Sequence, residues 1–127
     1  MNYLQECIHL MKFSGDGSFT KRASRRLEDL IESKNILLTT SCTDALEMCA
    51  LLLDISPGDE VIIPSFTFVS TANAFVLRGG VPVFVDIDPV TLNLDPSRIE
   101  AAITAKTSAI LPVDIFGVPA EMDAINE

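Results

Sequence analysis

The residues best placed to do chemistry in this 127-residue chain are small hydroxyl and thiol side chains at a turn. In Ile36–Leu53 (ILLTTSCTDALEMCALLL), the apolar residues Ile36, Leu37 and Leu38 read as a buried strand. Ser41, Cys42 and Thr43 sit where the chain turns, and Asp44 enters a helix on which Ala45, Leu46, Cys49, Leu52 and Leu53 recur at helical spacing. A strand feeding a helix through small residues leaves backbone N–H groups at the positive end of the helix dipole, which suits a phosphate. Taken alone, the same pattern describes an ordinary capped helix start, and most such turns in α/β proteins hold nothing.

Other signatures of chemistry are missing. Gly15-Asp16-Gly17 follows no strand and lacks the third glycine of a dinucleotide fingerprint. The sequence has no GK[ST] phosphate loop and no GxSxG elbow, and its one histidine, His9, lies near the start, so a hydrolase triad has no support. Three cysteines (Cys7, Cys42, Cys49) form neither an even disulfide framework nor a CxxC pair, and with one histidine they leave no zinc cluster.

The elements that must position the turn alternate regularly. A strand is expected at 35–39, a helix at 44–53, and a turn at Ser56-Pro57-Gly58-Asp59, where Pro presets φ and Gly tolerates a positive one. Strands follow at 60–64 (EVIIP), 82–87 (PVFVDI) and 108–113 (SAILPV). Between them come a helix at 67–78, stopped by Gly79-Gly80, and a short helix at 96–103 with Asp95 as N-cap and Pro96 at its first position. Residues 120–127 read as the first turns of another helix, and because the sequence stops inside that pattern a truncation is expected. The strands are continuous apolar runs, as in strands buried on both faces, so the fold class is α/β with a mainly parallel sheet and flanking helices. Residues 1–34 are set apart as an N-terminal loop and helix, with Thr20 as a cap and Ala23, Leu27, Leu30 and Ile31 on its apolar face; residues 35–127 form the main domain.

Composition bounds the rest. A hydrophobic share of 48% and a charged share of 21% are those of a globular chain. The net charge of −9 argues against nucleic acid and anionic membranes as partners. No stretch approaches the roughly 20 apolar residues of a membrane span. The N-terminus MNYLQECIHLMK carries no basic segment ahead of a long apolar core, so no signal peptide is read and a cytoplasmic location is expected.

Three blocks read together, SCTDAL (41–46), PGDEVIIPSFTFVSTANA (57–74) and PVFVDIDPVTLNLDPSRIEAAI (82–103), resemble the DegT/DnrJ/EryC1/StrS sugar aminotransferases in order and spacing. GDGSFTKR and PSFTFVSTANAFVLRGG bring the resemblance nearest to that family's dTDP-4-amino-4,6-dideoxygalactose transaminase branch, and it covers residues 12–127. It implies part of a fold-type-I large domain that binds pyridoxal 5′-phosphate (PLP). The implied activity is amination of a dTDP-4-keto-6-deoxyhexose type of sugar nucleotide with glutamate as donor, in a homo-oligomer. The family's phosphate cradle falls on Cys42, Thr43 and Asp44, with Cys42 where many relatives have glycine and the Asp44 carboxylate turned away to cap the helix. Phe68 falls on the aromatic that stacks on the PLP ring, a position that otherwise reads as core. Asp16 and its glycines lie near the substrate or form a plain surface loop. Asp114 stands where many relatives carry histidine, so any role resting on that histidine is in doubt.

PLP chemistry also needs a lysine and an acidic group at the pyridine nitrogen, which the family places beyond residue 127. Lys34 and Lys106 sit beside expected strand starts in polar company and read as solvated turn lysines. The chain as written is therefore expected not to complete transamination. The alternative is a non-catalytic truncated α/β module that at most binds phosphate or PLP weakly.

Overall fold

The computed structural model describes residues 2–127, which divide into two compact units meeting at Thr40 and Ser41. The first holds helices α1 (Tyr3–Leu10) and α2 (Ser18–Leu30). A capping box starts α1: the Asn2 side chain accepts the Leu4 N–H at 3.2 Å and Gln5 Oε1 accepts the Asn2 N–H at 3.2 Å. The Tyr3 and Phe19 rings meet edge to face at 5.8 Å. The Arg22 guanidinium lies over both, 5.4 and 4.8 Å from their centroids, and pairs with Glu6 at 3.0 Å. The cap of α2 is Gly17 rather than the expected Thr20, which lies inside the first turn.

The strand expected at 35–39 is not formed. Glu28 of α2 accepts the N–H groups of Asn35 (3.1 Å) and Ile36 (3.4 Å), so the segment's first donors go to a carboxylate instead of a ladder. Leu37 and Leu38 remain exposed. A strand exists only beside a partner, and this unit supplies none among the described residues.

The second unit runs α3 (Cys42–Leu52), β1 (Glu60–Pro64), α4 (Val69–Val76), β2 (Val81–Val85), β3 (Thr107–Ile110) and α5 (Met122–Asn126). The three strands form a parallel sheet in the order β2-β1-β3. Central β1 is buried on both faces. Val61 and Ile63 pack with Ala50 and Ile55, and with Ala74 and Phe75 of α4; Ile62 points the other way, to Val85, Leu94 and Ile99. That two-sided burial is why EVIIP reads as an unbroken apolar run.

Connections follow local chemistry. At Ser56–Asp59 the Asp59 N–H donates to the Ser56 carbonyl (3.1 Å) and the Asp59 carboxylate accepts the Ser56 N–H (2.8 Å). Gly58 has φ +95° and donates its N–H to the Gly79 carbonyl at 3.1 Å. Gly79, at φ +87°, ends α4 so close to the turn that a Cβ there would stand 2.9 Å from Pro57 Cγ. The helix expected at 96–103 is instead two 3-10 turns, Pro96–Arg98 and Glu100–Ala102. The tighter three-residue repeat puts Ile99 and Ala102 on one side, where both pack against the sheet. The helix expected at 67–78 begins only at Val69, because Phe68 keeps extended backbone as its N-cap.

Candidate functional site

Parallel strands end at one edge, and ligands of open α/β sheets bind outside that carboxyl edge. The segments after β1 (65–68), β2 (86–88) and β3 (111–117) leave the sheet there. An eleven-residue helix and a five-residue strand are each about 16 Å long, so α3, whose far end feeds β1 through the 56–59 turn, starts level with the same edge.

Ser41 caps α3, its Oγ accepting the Asp44 N–H at 3.2 Å while its carbonyl accepts the Ala45 N–H at 3.3 Å. The cap is thus Ser41 and not Asp44, because an N-cap needs extended backbone (Ser41 has φ −152°, ψ 164°) and Asp44 is already helical. Cys42 is exposed, and Thr43 and Asp44 are half-buried. The Cys42 and Thr43 amides precede any intrahelical carbonyl, and no group among the described residues accepts them.

Phe68 stands at the N-cap of α4, which packs on α3. Phe68 is 74% exposed and belongs to neither core. Its backbone is fixed: the Phe68 carbonyl accepts the Thr71 N–H (3.0 Å) and the Thr67 hydroxyl meets that of buried Thr71 at 2.9 Å. Two residues earlier, the Phe66 ring lies 6.3 Å from that of exposed Phe116. Cys42, Thr43 and Asp44 share one turn, whereas no hydrogen bond or ring contact among the described residues joins Phe68 to them.

Lys106 is the single lysine of residues 41–127. It precedes β3, and its carbonyl accepts the N–H of Glu60, the first residue of β1, at 2.8 Å. It lies at the amino edge, across the sheet from the candidate site. Lys34 is in the first unit, as is Asp16, a turn residue at φ 56° whose carbonyl accepts Lys12 Nζ at 3.1 Å.

The carboxylates near the edge are engaged in turns. Asp88 is held below the usual carboxylate range by the N–H groups of Thr91 (2.8 Å) and Val90 (2.9 Å). Asp95 is held low chiefly by the Ser97 hydroxyl at 2.7 Å, helped by the Ser97 N–H at 3.0 Å. Asp114 ties its own loop by accepting the Ala120 N–H at 2.9 Å.

One residue the sequence reading missed organises that loop. Asn93 is 3% exposed; its Oδ1 accepts the Ile115 N–H at 3.0 Å and its Nδ2 donates to the carbonyls of Val118 and Pro119, each at 2.9 Å. The available signal was a lone amide between two leucines in VTLNLDP, an expensive residue to bury without partners. Among the described residues no group of three His, Cys, Asp or Glu could hold a metal, and no helix is long and apolar enough to cross a membrane.

This is an α/β domain of the kind found in PLP-dependent aminotransferases. A crystal structure of a Bacillus subtilis protein, ntda, with bound cofactor PMP superposes with a TM-score of 0.89 and 39% identity, covering 96% of this chain and 28% of that one. The profile of the DegT/DnrJ/EryC1/StrS aminotransferase family matches residues 1–127, and the chain belongs to that family, whose members depend on PLP. It is 50% identical over 101 residues (80% of this chain, 28% of the relative) to a UDP-2-acetamido-2-deoxy-3-oxo-D-glucuronate aminotransferase of Pseudomonas aeruginosa. It is 39% identical over 127 residues (100% of this chain, 29% of the relative) to a 3-oxo-glucose-6-phosphate:glutamate aminotransferase of Bacillus subtilis. The chain thus spans less than a third of the length of these relatives.

Proposed function

We propose that this chain supplies the phosphate- and ring-binding edge of a PLP-dependent aminotransferase acting on a keto-sugar nucleotide with glutamate as donor. The observation that carries the reading is the start of α3: two unaccepted amides and a hydroxyl, at the carboxyl edge of a parallel sheet, in a chain of this family. When bound, PLP supplies an electron sink through which an amino group passes from donor to keto-sugar. The Cys42 and Thr43 amides and the Thr43 hydroxyl hold its phosphate at the positive end of the helix. Asp44 closes the turn by giving its N–H to Ser41. Cys42, small and exposed, leaves the approach open where many relatives have glycine. The exposed Phe68 would offer an apolar ring to the pyridine and keep water from that face. The reactive lysine is not Lys106, which is at the wrong edge, so residues 41–127 bind and orient without completing transfer.

The first test is a PLP titration of the chain followed by absorbance and fluorescence. Saturable binding that weakens in Thr43→Val supports the reading; binding unaffected by that change, or none, overturns it. A second test pairs glutamate with a dTDP-4-keto-6-deoxyhexose, the substrate the sequence blocks imply, and with a UDP-linked 3-oxo sugar. The 3-oxo alternative rests on the two relatives whose names specify that position. Turnover by the polypeptide of residues 1–127 alone, with either sugar, would contradict the placement of its lysines.

A further inference from the structure

The 114–120 loop is tied at more points than a surface connection needs. Asn93 reaches it from the β2–β3 connection, accepting from Ile115 and donating to Val118 and Pro119, while Asp114 accepts from Ala120. Asn93 is itself locked: Leu92 takes up φ +63° before it, and the Asn93 carbonyl accepts the Asp88 N–H at 2.9 Å. What the clamp holds is Phe116, a non-glycine residue at φ +51° that is 81% exposed and whose ring lies 6.3 Å from that of Phe66. The clamp seats buried Ala120, but it also keeps an apolar residue exposed in a rarely adopted conformation, and the ring it presents stands at the sheet edge that carries Phe68.

We propose that Asn93 is a positioning residue: with Asp114 it fixes the 114–120 loop so that Phe116, braced on Phe66, walls one side of the cofactor edge. The inference rests on the proposed function for what the wall faces, but not for the clamp itself. Phe116 then excludes water beside the bound cofactor, and Asn93 acts on binding only through it.

Asn93→Asp tests this with almost no change of shape. It keeps the acceptor for Ile115 but sets an oxygen against the carbonyls of Val118 and Pro119. Two measurements on the full chain separate the parts. Hydrogen exchange at Val118 and Ala120, whose amides close the 114–120 loop on Ile115 and Asp114, should be slow in the parent and about tenfold faster in N93D, the scale of one lost hydrogen bond. Unchanged exchange in a folded N93D overturns the clamp whether or not PLP binds. PLP dissociation constants for the parent, N93D, Phe116→Ala and the double variant form a cycle. The proposal expects weaker binding in each single variant and no further loss in the double. Additive losses, or parental affinity in F116A, overturn the route through Phe116. Absence of PLP binding by the parent overturns both the proposed function and the wall, and leaves the exchange result to judge the clamp. Should N93D not fold, Asp114→Ala releases the loop's other end and is expected to weaken PLP binding in the same way; parental affinity in that variant counts against the proposal.

Discussion

Two helical starts in this chain look alike on paper and differ in what they can hold. At Ser41-Cys42-Thr43-Asp44 the Ser41 hydroxyl takes the third amide, and no group among the described residues accepts the first two. At Asp95-Pro96-Ser97-Arg98 the first position is proline, with no N–H, and the second amide is taken by Asp95 itself. The second start also carries its own anion, whose carboxylate is paired with the Ser97 hydroxyl and with Arg98 at 3.1 Å. A helix start becomes an anion site by what its cap leaves over. On the proposed function, a neutral cap reaching past two amides leaves room for an anion, and a charged cap beside a proline fills it.

The sharpest way to break this comparison is to give the first start the proline of the second. Cys42→Pro removes one N–H at a helix position where proline is tolerated, after a residue already extended. PLP affinity should fall about a hundredfold, as expected for losing a charge-assisted bond, with little change in melting temperature; retained affinity would move the phosphate elsewhere. Phe68→Ala should weaken PLP binding about tenfold, the upper range of a ring contact. Because Phe68 lies outside both cores, stability should hold. A melting temperature lowered as much as a core truncation would make it structural.

Next come the caps. Ser41→Ala should cost about 1 kcal/mol of unfolding free energy by denaturant titration, and Asp95→Ala should lower stability as well. Only Ser41→Ala should also change PLP binding, and equal effects on binding would erase the distinction between the two starts. The smallest expected effect is on pH dependence. Asp88 and Asp95 have lowered folded-state pKa values, so their contribution is present above the ordinary carboxylate value and is lost as pH falls through the lowered one. Acid unfolding of Asp95→Asn should therefore be shallower than that of the parent below about pH 4, and an identical acid limb would show that the Ser97 contacts do not stabilise the charged form.

What could be read ahead of the structure follows from how local each decision is. EVIIP is a strand in both readings because burial on two faces leaves only apolar choices. The Pro57-Gly58 turn and the Asp95 cap are settled within four residues. The 35–39 segment shows the opposite case: its apolar pattern is that of a strand, but a strand needs a neighbour, and Glu28 claims its first donors. The α1 capping box at Asn2 and Gln5 is as local a signal, although no helix is expected over residues 3–10 from the sequence. Of the candidate site, the turn at 41–44 is legible as a helix start, although its cap is Ser41 rather than Asp44. Asn93 was not legible, since its three partners lie more than twenty residues away.

The close approach of Gly79 to Pro57 ties two positions that are distant in sequence. A Cβ at residue 79 would fall 2.9 Å from Pro57 Cγ and 3.0 Å from Pro57 Cα, and the positive φ strains any other residue besides. Trimming the proline ring alone would not admit a larger residue at 79, because the backbone is in the way as well. In a library that diversifies the 56–59 turn, residue 79 is best kept as glycine, and a homologue with a bulkier residue there would have to route this turn differently.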